Sequence, residues 1–150
     1  MRMQISRRTL CAGYGLIALL ALVGTWGNNV HYLALGFLGA NVQFWTDTLA
    51  NPASRSITVD ILFFGLAVFV WMVLEARRLG MRGVWLYLIF GILVAISVTV
   101  PIFLINRERA LAAREGSPTA GTLGRGDAIA LTVVGLAFVA YTVVTFRASP

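Results

Sequence analysis

The chain has no lysine, one cysteine and one histidine among its 150 residues, and only 12% of them are charged. A soluble domain of this size usually carries about twice that charged fraction, whereas 59% of this chain is hydrophobic. The single cysteine, Cys11, excludes an intramolecular disulfide. His31 has no cysteine or carboxylate at helical spacing, so no metal site is predicted. We expect no cofactor either, since the sequence has no phosphate-binding glycine loop, Ser-His-Asp set or haem motif.

All positive charge is carried by arginine, and the formal net charge is +6. A basic balance can indicate nucleic-acid binding, but here the arginines cluster at the ends of apolar runs, which is typical of membrane topology signals. We therefore expect no nucleic-acid partner. The main clusters are Arg2, Arg7 and Arg8; Arg77, Arg78 and Arg82; and Arg107 and Arg109.

Four apolar segments approach or exceed the ~20 residues that a helix needs to cross a bilayer. In lipid every backbone polar group must be satisfied internally, so these segments are predicted to be helical. The predicted fold is all-α: an integral membrane helical bundle with four transmembrane helices in a single domain, residues 1–150. The predicted helices cover residues 9–27, 57–76, 83–106 and 128–146.

Two connecting segments differ in character. Residues 30–46 contain no acidic residue and no arginine, but glycine, asparagine and glutamine interrupt the apolar pattern. This pattern favours a helix or loop in the membrane interface, anchored by Tyr32 and Trp45, with a fifth or re-entrant span as the alternative. Residues 115–127 are rich in glycine, serine and threonine and predict a flexible linker before the fourth helix.

The orientation follows from the arginines near the span ends. With four spans and a cytoplasmic N-terminus, seven arginines fall inside and five outside, so the predicted location is the plasma (inner) membrane with both termini cytoplasmic. Arg7 and Arg8 are interpreted as a positive anchor before an uncleaved first helix. The inside set is Arg2, Arg7, Arg8, Arg77, Arg78, Arg82 and Arg147, and the outside set is Arg55, Arg107, Arg109, Arg114 and Arg125.

The candidate polar site centres on Asp60, about one turn inside the second helix. An intramembrane carboxylate is expensive and usually faces a partner or a polar cavity. With four spans, Arg107 and Glu108 end the third helix on the same side, so Arg107 is expected to pair with Asp60, and Arg55 is a second candidate partner. Pro101 predicts a kink that opens a pocket there, and Trp85 is one of the aromatic residues that would line it. A shallow, hydrated Asp60 with no ligand is the alternative.

Glu75 lies 15 residues after Asp60, roughly 22 Å along a helix. The two carboxylates therefore cannot share an acid/base site. Glu75 is instead predicted to make structural ion pairs at the helix end, with Arg78 at i+3 or with Arg82 across the turn.

An ordered set of residues between Phe44 and Leu111 resembles the domain of unknown function 2834 family of small bacterial membrane proteins. The resemblance implies a core of three helices without an established activity, and it leaves the fourth helix outside the family pattern. The residues that carry it are Leu49, Ala50, Asn51, Ser54, Ser56, Asp60, Trp71, Glu75, Arg78, Leu79, Gly80, Met81, Trp85, Tyr87, Gly91, Ser97, Pro101, Ile102, Phe103, Leu104, Arg107 and Glu108.

Three functional hypotheses stay open. The first is a non-enzymatic accessory or interaction subunit, whose partners are the lipid bilayer and either a second copy or another membrane protein. The second is a small lipid- or isoprenoid-handling protein, such as an intramembrane cyclase that protonates its substrate with Asp60. The third is a transporter or proton path, which requires an oligomer because one short chain encloses little interior.

Overall fold

The computed structural model describes residues 2–116 and 119–148, and these residues are mostly helical, as the sequence predicts. Six α-helices and two short strands make up this part of the chain. In order they are β1 (Arg2–Ser6), α1 (Arg7–Asn29), a 3-10 turn (Val30–Leu35), α2 (Gly36–Asp47), α3 (Pro52–Arg78), α4 (Val84–Leu93), α5 (Ile96–Glu115), β2 (Thr119–Gly124) and α6 (Arg125–Ala148).

Three helical stretches are long and apolar enough to cross a membrane, which indicates a membrane protein. They are Arg7–Asp47, Pro52–Arg78 and Arg125–Arg147. The first two, which begin with α1 and α3, start at N-capping side chains. The Ser6 hydroxyl accepts the Thr9 N–H at 3.0 Å, and the Asn51 side-chain carbonyl accepts the Ser54 N–H at 2.9 Å.

The predicted continuous helix over 83–106 is wrong, because the chain reverses at Val94–Ala95. Ala95 is extended, with φ −176° and ψ 133°, and separates α4 from α5. The ten residues of α4 cover about 15 Å, half of the ~30 Å hydrocarbon thickness. The break lies six residues before Pro101, which is inside α5 rather than at a kink between two halves of one helix.

The α4–α5 hairpin begins after the C-terminal end of α3, and α5 leads back to that same end of α3. Its tip lies beside the middle of α3, where a Cβ on Gly65 would be 2.9 Å from the Ile96 side chain. Its base packs on the C-terminal half of α3 through a core that is centred on Phe103, which is fully buried. The Val94 carbonyl at the break has a partner, because the Trp26 indole N–H donates to its oxygen at 3.3 Å. The hairpin thus turns back beside the middle of α3.

The helices α1 and α6 run in the same direction. The antiparallel pairing of β1 with β2 holds their N-terminal ends together. Their C-terminal ends meet at two small residues of α1: a Cβ on Gly24 would lie 3.0 Å from Thr142, and one on Gly27 would clash with the Phe146 ring. The beginning of α1 and the end of α6 therefore lie at opposite ends of the molecule, which disagrees with the prediction that both termini lie on one side.

The connecting segments have more structure than the sequence predicts. Residues 30–47 form the 3-10 turn and α2, separated at Gly36 with φ +70°. At 12 residues, roughly 18 Å, α2 is too short for a fifth span. Part of the predicted flexible linker 115–127 is the strand β2, and its residues 117–118 lie outside the described part of the chain.

Candidate functional site: an ion-pair network across three helices

The helix α3 ends in a turn that depends on Gly80. Gly80 adopts φ +64°, and the N–H groups of Met81 and Gly80 donate back to the carbonyls of Ala76 and Arg77 at 2.8 and 3.2 Å. This pair of hydrogen bonds is the Schellman motif that ends helices at a left-handed glycine. The motif fixes where the last turn of α3 ends, and therefore where Glu75 and Arg78 lie.

Glu75 is buried and forms ion pairs with two arginines, Arg78 and Arg107. Arg78 donates to both carboxylate oxygens of Glu75 through Nε and Nη2, at 2.6 and 2.7 Å. Arg107 of α5 donates its Nε to Oε1 at 2.7 Å. The pair with Arg78 is the one that the sequence predicts, whereas Arg82 makes no ion pair with Glu75.

Glu108 extends the network to α1. Its Oε1 accepts from Arg107 Nη1 at 2.8 Å, and its Oε2 accepts from Arg7 Nη1 at 2.7 Å. Alternating charges therefore join α3, α5 and α1 in one chain of contacts. Both glutamates are more than nine-tenths buried, and no buried side-chain nitrogen or oxygen in the described residues lacks a hydrogen-bond partner.

A layer of aromatic residues lies directly against this network. Phe103 packs edge-on against Trp71 and Tyr87, with ring centroids 5.7 and 5.5 Å apart. The guanidinium carbon of Arg107 lies 6.0 Å from the centre of the Trp71 ring, within range of a cation–π contact. The Asn106 amide donates to the Tyr87 hydroxyl at 2.6 Å and ties the two arms of the hairpin together.

Asp60 lies apart from all of these groups. The predicted pair between Asp60 and Arg107 is wrong, because the reversal at Val94–Ala95 returns Arg107 to the Glu75 end of α3. Asp60 is exposed, and no hydrogen bond or ion pair reaches it from the part of the chain that the structure describes. The five residues of the predicted polar site therefore do not form one site. Arg107 and Glu108 belong to the network with Glu75, and Asp60 is remote from it. Pro101 lies within α5, and Trp85 is 58% exposed on α4.

Arg7 is the member of the network that the sequence does not predict, since its position before an apolar helix indicates a membrane topology signal. Its guanidinium is nevertheless mostly buried, with 11% of the side chain exposed. A second buried acid, Glu108, needs a cation of its own once Arg107 is bound to Glu75. The sequence gives no local signal for this pair, because Arg107 and Arg109 flank Glu108 and Arg7 lies 101 residues away.

The arrangement limits the chemistry that the network itself can perform. Glu75 and Glu108 each accept hydrogen bonds on both oxygens from arginines, so neither is a free acid or base. No group of three or more histidine, cysteine or acidic residues that could hold a metal occurs in residues 2–116 and 119–148. An open groove beside the first turns of α3 is lined by Tyr32, Phe44 and Asp47 among others, and Asp60 is not among its lining residues.

Comparison with known proteins gives one match. The family model described as protein of unknown function DUF2834 matches residues 14–109, from α1 to the last arginine of the Arg107–Arg109 cluster. Most of the network, namely Glu75, Arg78, Arg107 and Glu108, falls within that range, whereas Arg7 and α6 fall outside it. No curated protein and no solved structure matches the chain.

Proposed function

Since the chain belongs to the DUF2834 family of proteins of unknown function, we propose a role for it from its own geometry: a non-enzymatic accessory or interaction subunit of a membrane assembly. The observation that carries this proposal is the contrast between its acids. Glu75 and Glu108 are buried and fully paired within the chain. Asp60 lies in a helix of membrane-spanning length, is exposed, and has no partner among the described residues.

A carboxylate that faces lipid is costly, and such residues usually face a partner or water. The neighbours of Asp60 on the same face of α3 are Phe63 and Phe64, at i+3 and i+4, and both are largely exposed. A helix of another membrane protein, or of a second copy, that brings an arginine, lysine or hydrogen-bond donor to this depth would satisfy Asp60. It would also cover the two rings. This face therefore supports the proposal of an interaction subunit.

The experiment is photo-crosslinking in native membranes from a reactive side chain placed at Phe63. We expect a cross-linked adduct, either of two copies or with a second membrane protein, and we expect Asp60→Ala to reduce it at least about tenfold, since loss of one desolvated charge contact costs about 2 kcal/mol or more. Asp127→Ala is the matched control, since it removes an exposed carboxylate at the start of α6 and should leave the adduct unchanged. A lone monomer in every case would refute the proposal.

The finer topology that we propose is a multi-pass protein of the plasma (inner) membrane with its arginine-rich end in the cytoplasm. Because the α4–α5 hairpin returns, ten arginines lie at the end of the molecule that contains the start of α1, and two lie at the other end. The ten are Arg2, Arg7, Arg8, Arg77, Arg78, Arg82, Arg107, Arg109, Arg114 and Arg125, and the two are Arg55 and Arg147. Positive residues near span ends favour the cytoplasm, so ten against two supports a cytoplasmic N-terminus.

A reporter fused after Pro150 tests this orientation. An alkaline phosphatase fusion is expected to be active, because α6 would end outside, whereas a fluorescent protein fusion at the same position should be dark. A phosphatase inserted after Gly80, in the turn after α3, is the control and should be inactive. Fluorescence at the C-terminal end combined with an inactive phosphatase would show that α6 does not cross.

A further inference from the structure

Two arginines beside the turn after α3 have no protein partner. Among residues 2–116 and 119–148, neither the Arg77 side chain nor the Arg82 side chain makes a hydrogen bond or an ion pair, and both residues are exposed. The buried acids close to them, Glu75 and Glu108, are already occupied by Arg7, Arg78 and Arg107. The positive charge at this turn is therefore left without an anion from the described chain.

The turn holds these two arginines on a rigid frame. The Schellman hydrogen bonds fix Gly80 and Met81, and Met81 packs against the buried core. Gly83, with φ +75°, completes the turn and starts α4. Arg114 reaches in from α5 and donates to the Arg78 carbonyl at 3.1 Å, so a third cation is held at the end of α3. A turn that is already ordered loses little further entropy when it binds a ligand.

A tryptophan stands next to this turn in the position of an interfacial anchor. Trp85 is three residues after Arg82, in the first turn of α4, and its ring is 58% exposed. Tryptophans are enriched at the level of lipid headgroups, where the apolar ring and the polar N–H are both accommodated. The turn thus combines exposed guanidinium groups, which bind phosphate through paired hydrogen bonds, with an aromatic ring suited to the boundary between headgroups and acyl chains.

We propose that Arg77, Arg82 and Trp85 form a binding site for the phosphate headgroup of an anionic phospholipid, in the leaflet at the arginine-rich end. Basic clusters beside a span end are attracted to anionic lipids. A lipid, rather than a soluble phosphate, fits this site because the tryptophan lies at the lipid side of the arginines. The proposal does not depend on a partner at Asp60, which is at the other end of α3.

The test uses the full chain in nanodiscs of phosphatidylcholine, with and without phosphatidylglycerol, and counts retained lipid by native mass spectrometry. The wild type should retain phosphatidylglycerol in preference to phosphatidylcholine. Each arginine near an anionic surface contributes a factor of about five, so the double variant Arg77→Ala/Arg82→Ala should lose roughly 25-fold of that preference. Arg77→Lys/Arg82→Lys keeps the charge without the planar fork and should lose less.

The matched control is Arg55→Ala/Arg147→Ala, which removes the same charge from the opposite end and should keep the preference. Helix content by circular dichroism must be equal in all variants, so that loss of lipid is separated from loss of fold. Three results would overturn the proposal: no lipid preference in the wild type, an equal loss in the control, or displacement of the lipid by inorganic phosphate. The last result would identify a site for a soluble anion.

Discussion

Replacing Glu75 with alanine is expected to lower the free energy of unfolding by about 2–3 kcal/mol, because it removes a buried carboxylate that accepts charge-assisted hydrogen bonds from two arginines. Arg107 would lose the acceptor that its Nε contacts at 2.7 Å, and Arg78 would lose the two carboxylate oxygens that its Nε and Nη2 contact. Arg107 keeps Glu108, so part of its charge remains compensated. The measurement is equilibrium unfolding in mixed micelles with increasing denaturing detergent, followed by circular dichroism.

Asp60→Ala is the control, since it removes an exposed carboxylate of the same helix that has no partner within residues 2–116 and 119–148. Its effect on unfolding should stay within about 0.5 kcal/mol. Adding Arg107→Ala to Glu75→Ala should recover part of the loss, and the double-mutant cycle should give a coupling of about 1–3 kcal/mol. A value near zero would mean that the two side chains do not act on each other across α3 and α5.

The second large effect is expected from Phe103→Ala. Phe103 is fully buried between Trp71 and Tyr87 and joins α3, α4 and α5. In lipid an unfolded side chain remains in an apolar medium, so the loss comes mainly from the cavity and from lost packing contacts. A cavity on the order of 100 Å³, at ~24 cal/mol per Å³, gives about 2.4 kcal/mol.

The adjacent Ile102 supplies the control for this substitution. It is 41% exposed on the same turn of α5, so Ile102→Ala should cost less than about 1 kcal/mol in the same unfolding experiment. Near-ultraviolet circular dichroism should change only in Phe103→Ala, because Trp71 and Tyr87 would lose their shared neighbour. Equal effects of the two substitutions would show that the aromatic layer does not hold the hairpin together.

The helical fold and the membrane assignment follow from local properties of the sequence. Apolar run length identifies α1, α3 and α6, while Ser6 and Asn51 mark helix starts and Gly80 marks a helix end. The reversal at Val94–Ala95 has no such local mark, because the proline in that run, Pro101, lies six residues after the break. The reversal is maintained by distant contacts, above all Arg107 with Glu75 and Trp26 with Val94, which a single sequence does not reveal.

The predicted polar site at Asp60 is wrong because it, too, depends on distant contacts. Pairing Asp60 with Arg107 was a correct inference from four complete spans, and it failed when one span proved to be a hairpin. The Glu75–Arg78 contact is predictable because residues three positions apart on one helix are neighbours on its surface. Arg7 was not, because its partner Glu108 is 101 residues away in sequence and is brought near only by the packing of α1 against α5.

The short hairpin also bears on how the chain is made. In the proposed orientation, the segment from Arg107 to Arg125 stays on the ribosome side, and its four arginines never pass through the hydrocarbon during insertion. A complete third span would have carried all of them across. Charged segments exported by this arrangement are limited to residues 47–60 and the end of α6, which together hold two arginines and two aspartates. In that orientation, the reversal at Val94–Ala95 spares the chain the cost of moving these four arginines across the hydrocarbon.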